Sequence, residues 1–419
     1  MLIMEELPDN SGIPFYHRRD PFASPLWKVV DRYYDEFERV YSERYVGTYG
    51  FWRLVIGDVI GRFLICGDLR EGFARVRCTD CGKEYFVPFS CHQRLFCPCC
   101  AQKRILELAI HTQENVCENV RHRQFVFTMP KRLRIFFRYD RELLKNLPKI
   151  AWQVVKAVYQ AVLNRDDVVP GMIATVQTFG ELAHWHPHVH VVITDGVFTL
   201  GRSFIPFLDM AVEPFLKLWE KKVFDLLLRK GKITQETIEQ MKCWKHSGFS
   251  VHRKVVIEKD DGKGLENLIQ YIARCPFSLS RMIRVTNGGQ VIYKTERGGC
   301  HRFPDPGSNT LKGGTARNFQ IFDPLDFLAE VTQHIPEPRV HTIRYFGWYS
   351  NKSRGVRAKR EANSAEMEEV IIDFEDTPFR KLCRSRWSAL IRQVYEVDPL
   401  KCPECGGEMK FVSFIEKRD

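Results

Sequence analysis

The run from His186 to Gly196, His-Pro-His-Val-His-Val-Val-Ile-Thr-Asp-Gly, constrains this chain more than any other stretch. Its β-branched residues and the Asp195-Gly196 turn signal mark a strand. Proline cannot donate to a sheet ladder, so Pro187 is expected at the strand's first position. Alternation then sends His188 and His190 to one face, about 7 Å apart, and Val189 and Val191 to the other. Two imidazoles side by side on a rigid strand can grip one divalent cation. A bare His-x-His is also what two packed histidines look like, so a metal reading needs a third ligand. Gln177, on the preceding strand from Met172 to Phe179, is the preferred candidate because a hairpin would set it across from the histidines. His186 and Glu181 are the alternatives.

The cysteines carry the second signal. Met1 to Asn10 is acidic and lacks the pattern of a signal peptide. No apolar run approaches the roughly 18 residues of a membrane span. The chain is therefore expected in the cytoplasm, associated with the nucleoid if its partner is DNA. In that compartment close-spaced cysteines more often bind metal than form disulfides. Cys78-x-x-Cys81 and Cys97-x-x-Cys100 stand fifteen residues apart, a zinc spacing. Tetrahedral zinc takes four thiolates at about 2.3 Å, two from each turn. Cys78, Cys81, Cys97 and Cys100 are thus expected around one structural zinc, with Cys91, Cys99 and His92 competing for places. Cys402 and Cys405 form half of a second zinc knuckle, with Cys383 as a further candidate and no evident fourth ligand.

A chain of 419 residues is too long for one small core. Its formal net charge of +11 fits a polyanion, of which nucleic acid is the commonest. Lys131, Arg132, Arg134 and Arg138 follow the strand Gln124 to Thr128 closely, a cluster suited to phosphate contacts. Helices are expected over 25–43, 141–164, 205–242 and 323–334, and a strand over 250–257. From Gly264 to Arg274, Leu265, Leu268, Ile269 and Ile272 recur at the spacing of a helix lying on a sheet. Tyr271 sits at the edge of that stripe, where its phenol can reach over the sheet edge. Arg274 makes its surroundings cationic.

Seven further blocks stand in a specific order. They are Cys78-Thr-Asp-Cys81, Phe89-Ser-Cys-His-Gln-Arg94, Phe96-Cys-Pro-Cys-Cys100, Phe127-Thr-Met-Pro-Lys-Arg-Leu-Arg134, Tyr271-Ile-Ala-Arg274, Arg344-Tyr-Phe-Gly-Trp-Tyr-Ser350 and Leu400-Lys-Cys-Pro-Glu-Cys-Gly-Gly407. With the histidine strand among them, the chain resembles the insertion-sequence ninety-one family, rolling-circle transposases of the HUH nuclease superfamily. The resemblance spans nearly the whole chain. It implies an α+β fold: an HUH-type, mostly antiparallel sheet with helices on one face, preceded by an N-terminal helical and zinc-ribbon domain. The implied divisions are 1–110 (helical plus zinc-binding), 120–350 (nuclease), 351–378 (a solvated linker) and 379–419 (a helix with the last CxxC).

The resemblance also implies His188 and His190 as ligands of Mg²⁺ or Mn²⁺, Tyr271 as nucleophile, and structural Zn²⁺. DNA contacts are expected at Lys131, Arg132, Arg134 and Arg274. Members of the two-tyrosine type carry another tyrosine one helical turn earlier, where this chain has Asn267. It is therefore more similar to single-tyrosine relatives such as the insertion-sequence common-region transposases. One nucleophile cannot hold two DNA ends at once. Strand transfer then needs a freed 3′-OH, a second protomer in a homodimer, or another tyrosine such as Tyr293. The implied partner is DNA, chiefly single-stranded element ends, nicked and transferred through a 5′-phosphotyrosine. A plasmid replication initiator or relaxase of the same chemistry, and a non-catalytic zinc-dependent DNA-binding regulator, are the alternative readings.

Overall fold

A computed structural model describes residues 20–93, 95–180, 182–207, 210–295, 301–302, 316–362 and 400–416. Glu181, Cys383 and the short helix read around Trp387 to Val394 lie outside the described residues. Short elements not labelled below are named by their residue ranges.

Helix α1 (Pro25–Arg44) begins where Ser24 accepts a hydrogen bond from the Trp27 amide at 3.1 Å and Pro25 fills the first turn. Its aromatic stripe, Phe37 and Tyr41 foremost, is core, packed with Val59, Ile60 and Phe63 of α2 (Val55–Leu64). Strands β1 (Gly72–Cys78) and β2 (Glu84–Pro88) follow as an antiparallel pair, then α3 (Pro98–Asn115).

The central sheet is antiparallel and six-stranded. It contains β3 (His122–Thr128), β4 (Gly171–Phe179), β5 (Trp185–Thr194), β6 (Ser250–His252) and β7 (Ile343–Gly347) in the order β7-β4-β5-β3-β6, with Val256–Ile257 also paired to β3. β4 and β5 are neighbours, with Gln177 opposite His188 and Thr175 opposite His190. The expected start of β5 shifts: the strand opens at Trp185, and Pro187 lies where the register slips between Gln177 and Phe179. A bulge leaves residues out of the ladder, which is what a residue without an N–H requires. The single strand expected over 250–257 is broken into Ser250–His252 and Val256–Ile257.

One sheet face carries Phe125, Phe127, Val189 and Val191. It packs on α4 (Lys131–Tyr139), α5 (Leu147–Leu163) and α6 (Glu213–Arg229) through Leu133, Val154, Tyr159, Phe215 and Trp219. The expected 205–242 helix begins later than expected, since Phe204–Pro206 is a strand paired with Gly196–Phe198. The other face presents Ile173 and Val192 to Leu265, Leu268, Ile269 and Ile272 of α7 (Gly262–Ile272) and to Ala109 of α3. Asp261 caps α7 by accepting from the Gly264 amide at 2.8 Å. The α+β class and the antiparallel sheet follow the expectation, and the helices are shared between both faces. This happens because β5 is buried along nearly its whole length, so each face needs a cover.

Helix α8 (Pro324–Thr332), capped by Asp323, packs on α1. The start of the stretch expected to be a solvated linker is helical, as α9 (Asn351–Ala362), with Arg357 over the Trp348 ring. Strand β8 (Met409–Glu416) returns to the N-terminal region and pairs with β1, from Gly72 opposite Glu416 to Cys78 opposite Met409. No helix among the described residues is long and apolar enough to cross a membrane.

Candidate active site and cysteine clusters

On the α7-facing side of β5 the rings of His188 and His190 converge, their Nε2 atoms 2.9 Å apart. The Nδ1–H of His188 donates to the His186 carbonyl at 2.7 Å, which leaves Nε2 as a lone pair. Both side chains are buried. Burial pushes the His188 imidazole down to about 4, with Arg274 and Arg134 adding repulsion, and holds His190 well below the ordinary histidine range. At neutral pH both rings are therefore neutral, the form that ligates metal. Because His188 Nε2 is an acceptor, the proton between the two rings sits on His190 Nε2 when no cation is bound. Two ligands at right angles and about 2.1 Å from one ion stand about 3 Å apart, so the pair fits a divalent cation.

Gln177 lies on the same sheet face. Its Nε2 donates to the carbonyls of Ile272 at 2.9 Å and Tyr271 at 3.3 Å, the end of α7. Its Oε1 is buried and has no hydrogen-bond partner among the described residues. A buried orphan acceptor on the same sheet face as two converging imidazoles offers one oxygen and two nitrogens to a divalent cation. His186 offers a second atom without a partner among the described residues, its Nε2, with its ring centroid 5.0 Å from that of His188.

Tyr271, 38% exposed, rises at the edge of the α7 stripe as its spacing anticipates. Its ring meets that of His190 edge-on, with centroids 5.6 Å apart and planes at 90°. The Arg274 guanidinium lies 4.7 Å from the centre of the Tyr271 ring. Asn267, one turn earlier on α7, is exposed. Tyr293 is fully buried, and its hydroxyl accepts from the Ser278 amide, so it is placed as core rather than as a second nucleophile. Lys131 and Arg132 are exposed at the start of α4, and Arg134 is half-buried with Nε donating to the Met129 carbonyl.

Sequence spacing does not single out Gln124. Its side-chain amide lies 3.0 Å from His190 Nδ1, because β3 runs beside β5 and sets Gln124 diagonal to His190 on the same face.

The four cysteines expected around one zinc do not come together. Cys97 and Cys100, at the N-terminus of α3, gather with Cys91 and with Cys66, which spacing missed. Sulfur separations are 3.6 Å for Cys66–Cys100, 3.5 Å for Cys91–Cys100 and 3.9 Å for Cys66–Cys97. Thiolates on a tetrahedral zinc stand about 3.8 Å apart, so this cluster fits the ion. Cys78 and Cys81 instead face Cys402 and Cys405. The cause is chain closure: β8 comes back beside β1 and brings the distant pair with it.

Comparison with known proteins agrees with this layout. Residues 35–129 match the transposase zinc-binding domain Zn_Tnp_IS91, and residues 171–357 match the transposase family Y2_Tnp. The chain is 26% identical over 372 residues to the transposase for insertion sequence element IS801 of Pseudomonas savastanoi pv. phaseolicola, covering 85% of this chain and 83% of that protein. No solved structure matches. The first cysteine cluster falls wholly within the matched zinc-binding domain. The zinc-binding and transposase domain matches, together with a relative similar along most of its length, place this chain in the IS91 family of transposases.

Proposed function

We propose that this transposase cuts and rejoins single-stranded DNA at element ends with Tyr271 as nucleophile, and that His188, His190 and Gln177 hold the Mg²⁺ or Mn²⁺ it needs. The reading rests on one observation: a half-exposed phenol stands edge-on to His190, beside two converging neutral imidazoles and a buried amide oxygen with no partner among the described residues.

When bound, the divalent ion supplies Lewis-acid polarisation of the scissile phosphate. The rest of the chemistry falls to the chain. Tyr271 Oη gives up its proton and attacks phosphorus, forming a P–Oη bond. The bond from phosphorus to the 3′ oxygen breaks, and that oxygen leaves as a 3′-hydroxyl after taking a proton. The 5′-phosphotyrosine conserves the phosphodiester bond, so a later 3′-hydroxyl can reseal the strand without ATP. Arg274 places its positive charge against the Tyr271 ring as the phenol oxygen becomes anionic. Lys131, Arg132 and Arg134 supply phosphate contacts that position the strand without reading its sequence.

The test is a labelled single-stranded element end incubated with protein and Mn²⁺. A nicked product with a free 3′-hydroxyl should form, and should vanish with chelator and in His190→Ala. Metal-independent cutting, or full activity in His190→Ala, would refute the assignment.

A further inference from the structure

We infer that the second cysteine cluster, Cys78, Cys81, Cys402 and Cys405, is a structural zinc site that joins the two ends of the described chain. It is independent of the nuclease reading. Cys402 and Cys405 lie outside both matched regions, so neither domain match accounts for them.

Three observations carry it. First, the four sulfurs lie within 4.8 Å of one another. Cys78–Cys405 and Cys81–Cys402 are each separated by 3.5 Å, close to the roughly 3.8 Å edge of a zinc–thiolate tetrahedron.

Second, the two halves are built alike. Each reads Cys-x-x-Cys-Gly, and each glycine, Gly82 at φ +77° and Gly406 at φ +71°, sits where a side chain would be strained. In each, the first cysteine's amide donates 2.8 Å to the carbonyl five residues on, Cys78 to Lys83 and Cys402 to Gly407. That turn aims both thiols of a pair at one point. The Cys97–Cys100 pair has Ala101 in place of the glycine, so the likeness is particular to these two knuckles.

Third, the knuckles are fitted to each other. The Thr79 amide donates to the Glu408 carbonyl at 3.0 Å, and a Cβ on Gly407 would fall 2.1 Å from Asp80 Oδ2. Lys83 pairs with Glu404 across the join. The apolar support is small, chiefly Val76, Tyr85, Val87, Met409 and Phe411. A patch of that size is a weak anchor for a strand whose outer side chains, Val412, Phe414 and Ile415, are exposed. A metal held by two ligands from each end supplies what the packing lacks.

The experiment uses the full chain purified under reducing conditions, with zinc and iron measured per chain. Two zinc ions are expected, falling to one in Cys402→Ser/Cys405→Ser. In the wild-type protein, alkylation mapped by mass spectrometry provides a reading that needs no variant. Cys402 and Cys405 should be protected as long as zinc is bound, then react together with Cys78 and Cys81 once a chelator is added. Exposed Cys243 should react at once. One zinc per chain that the double variant retains, iron in place of zinc, or Cys402 and Cys405 reacting as fast as Cys243, would each overturn the inference.

Discussion

The amide nitrogen of Gln177 donates to the carbonyl of Tyr271 at 3.3 Å, tying the middle of the sheet to the residue that carries the phenol. The second bond, to the Ile272 carbonyl, fixes the end of α7 at the same point. One side chain thus holds the end of the helix that carries the proposed nucleophile, while its oxygen stays buried with no partner among the described residues. Catalytic groups held on a strand and a helix keep their geometry better than groups on loops.

The two jobs of Gln177 can be separated by substitution. Gln177→Leu removes the oxygen and both helix ties, and is expected to lower Mn²⁺ affinity and cleavage rate together, each by about 10–100-fold. Gln177→Glu keeps an oxygen ligand but cannot donate to the α7 carbonyls. It should retain metal affinity while losing about 1–3 kcal/mol of stability. Calorimetric Mn²⁺ titration and thermal unfolding of both variants make the comparison. If His186→Ala costs more metal affinity than Gln177→Leu, His186 is the third ligand instead.

Gln124 touches the proposed metal site through His190, its side-chain amide 3.0 Å from Nδ1. Amide nitrogen and oxygen exchange places by a flip, and a His190 that keeps its Nε2 lone pair carries its proton on Nδ1. The amide, whose nitrogen now faces Nδ1, would be flipped in the metal-bound state, so that the Gln124 oxygen accepts that proton and sets the ring. Gln124→Leu should weaken Mn²⁺ binding by about 10–100-fold although it removes no ligand, and Gln124→Glu should restore it. Unchanged affinity in the leucine variant would remove this role.

Acid should unfold the protein through its buried neutral histidines. His122, whose Nε2 lies 2.7 Å from the Tyr349 hydroxyl, is pushed down to about 4 by burial, and His334 likewise to about 4. In the unfolded chain both would titrate near 6.5. Between those values the unfolded chain takes up protons that the fold refuses. Stability is therefore full above about pH 6.5 and falls as pH drops toward 4, by an amount on the order of 3 kcal/mol for each group. Urea midpoints at pH 7.5, 6.5, 5.5 and 4.5 should show that fall, and it should be shallower in His122→Gln.

Much of the frame can be read in the amino-acid order because it rests on local rules. Alternation marks β5 and the shared face of His188 and His190, and the spacing of Leu265, Leu268, Ile269 and Ile272 marks α7 and the edge on which Tyr271 sits. What escapes is set by register and closure. Gln124 is an ordinary strand glutamine until β3 is laid beside β5. The cysteine partition fails for a similar reason: spacing pairs the nearest CxxC turns, whereas Cys78 meets Cys405 across 327 positions and Cys66 belongs to no motif. Pro187 lies inside β5 because a bulge absorbs it, which its own neighbours do not announce.

The central claim concerns the bond made by one phenol. The full chain, a 5′-labelled and a 3′-labelled single-stranded element end, and Mn²⁺ are combined and run on a denaturing gel, followed by mass spectrometry of the trapped peptide. The strand on the 3′ side of the cut should migrate as a protein adduct, its 5′ phosphate on the peptide that contains Tyr271, and Tyr271→Phe should give no adduct. An adduct that persists in Tyr271→Phe, or one mapped to another residue, would contradict the account.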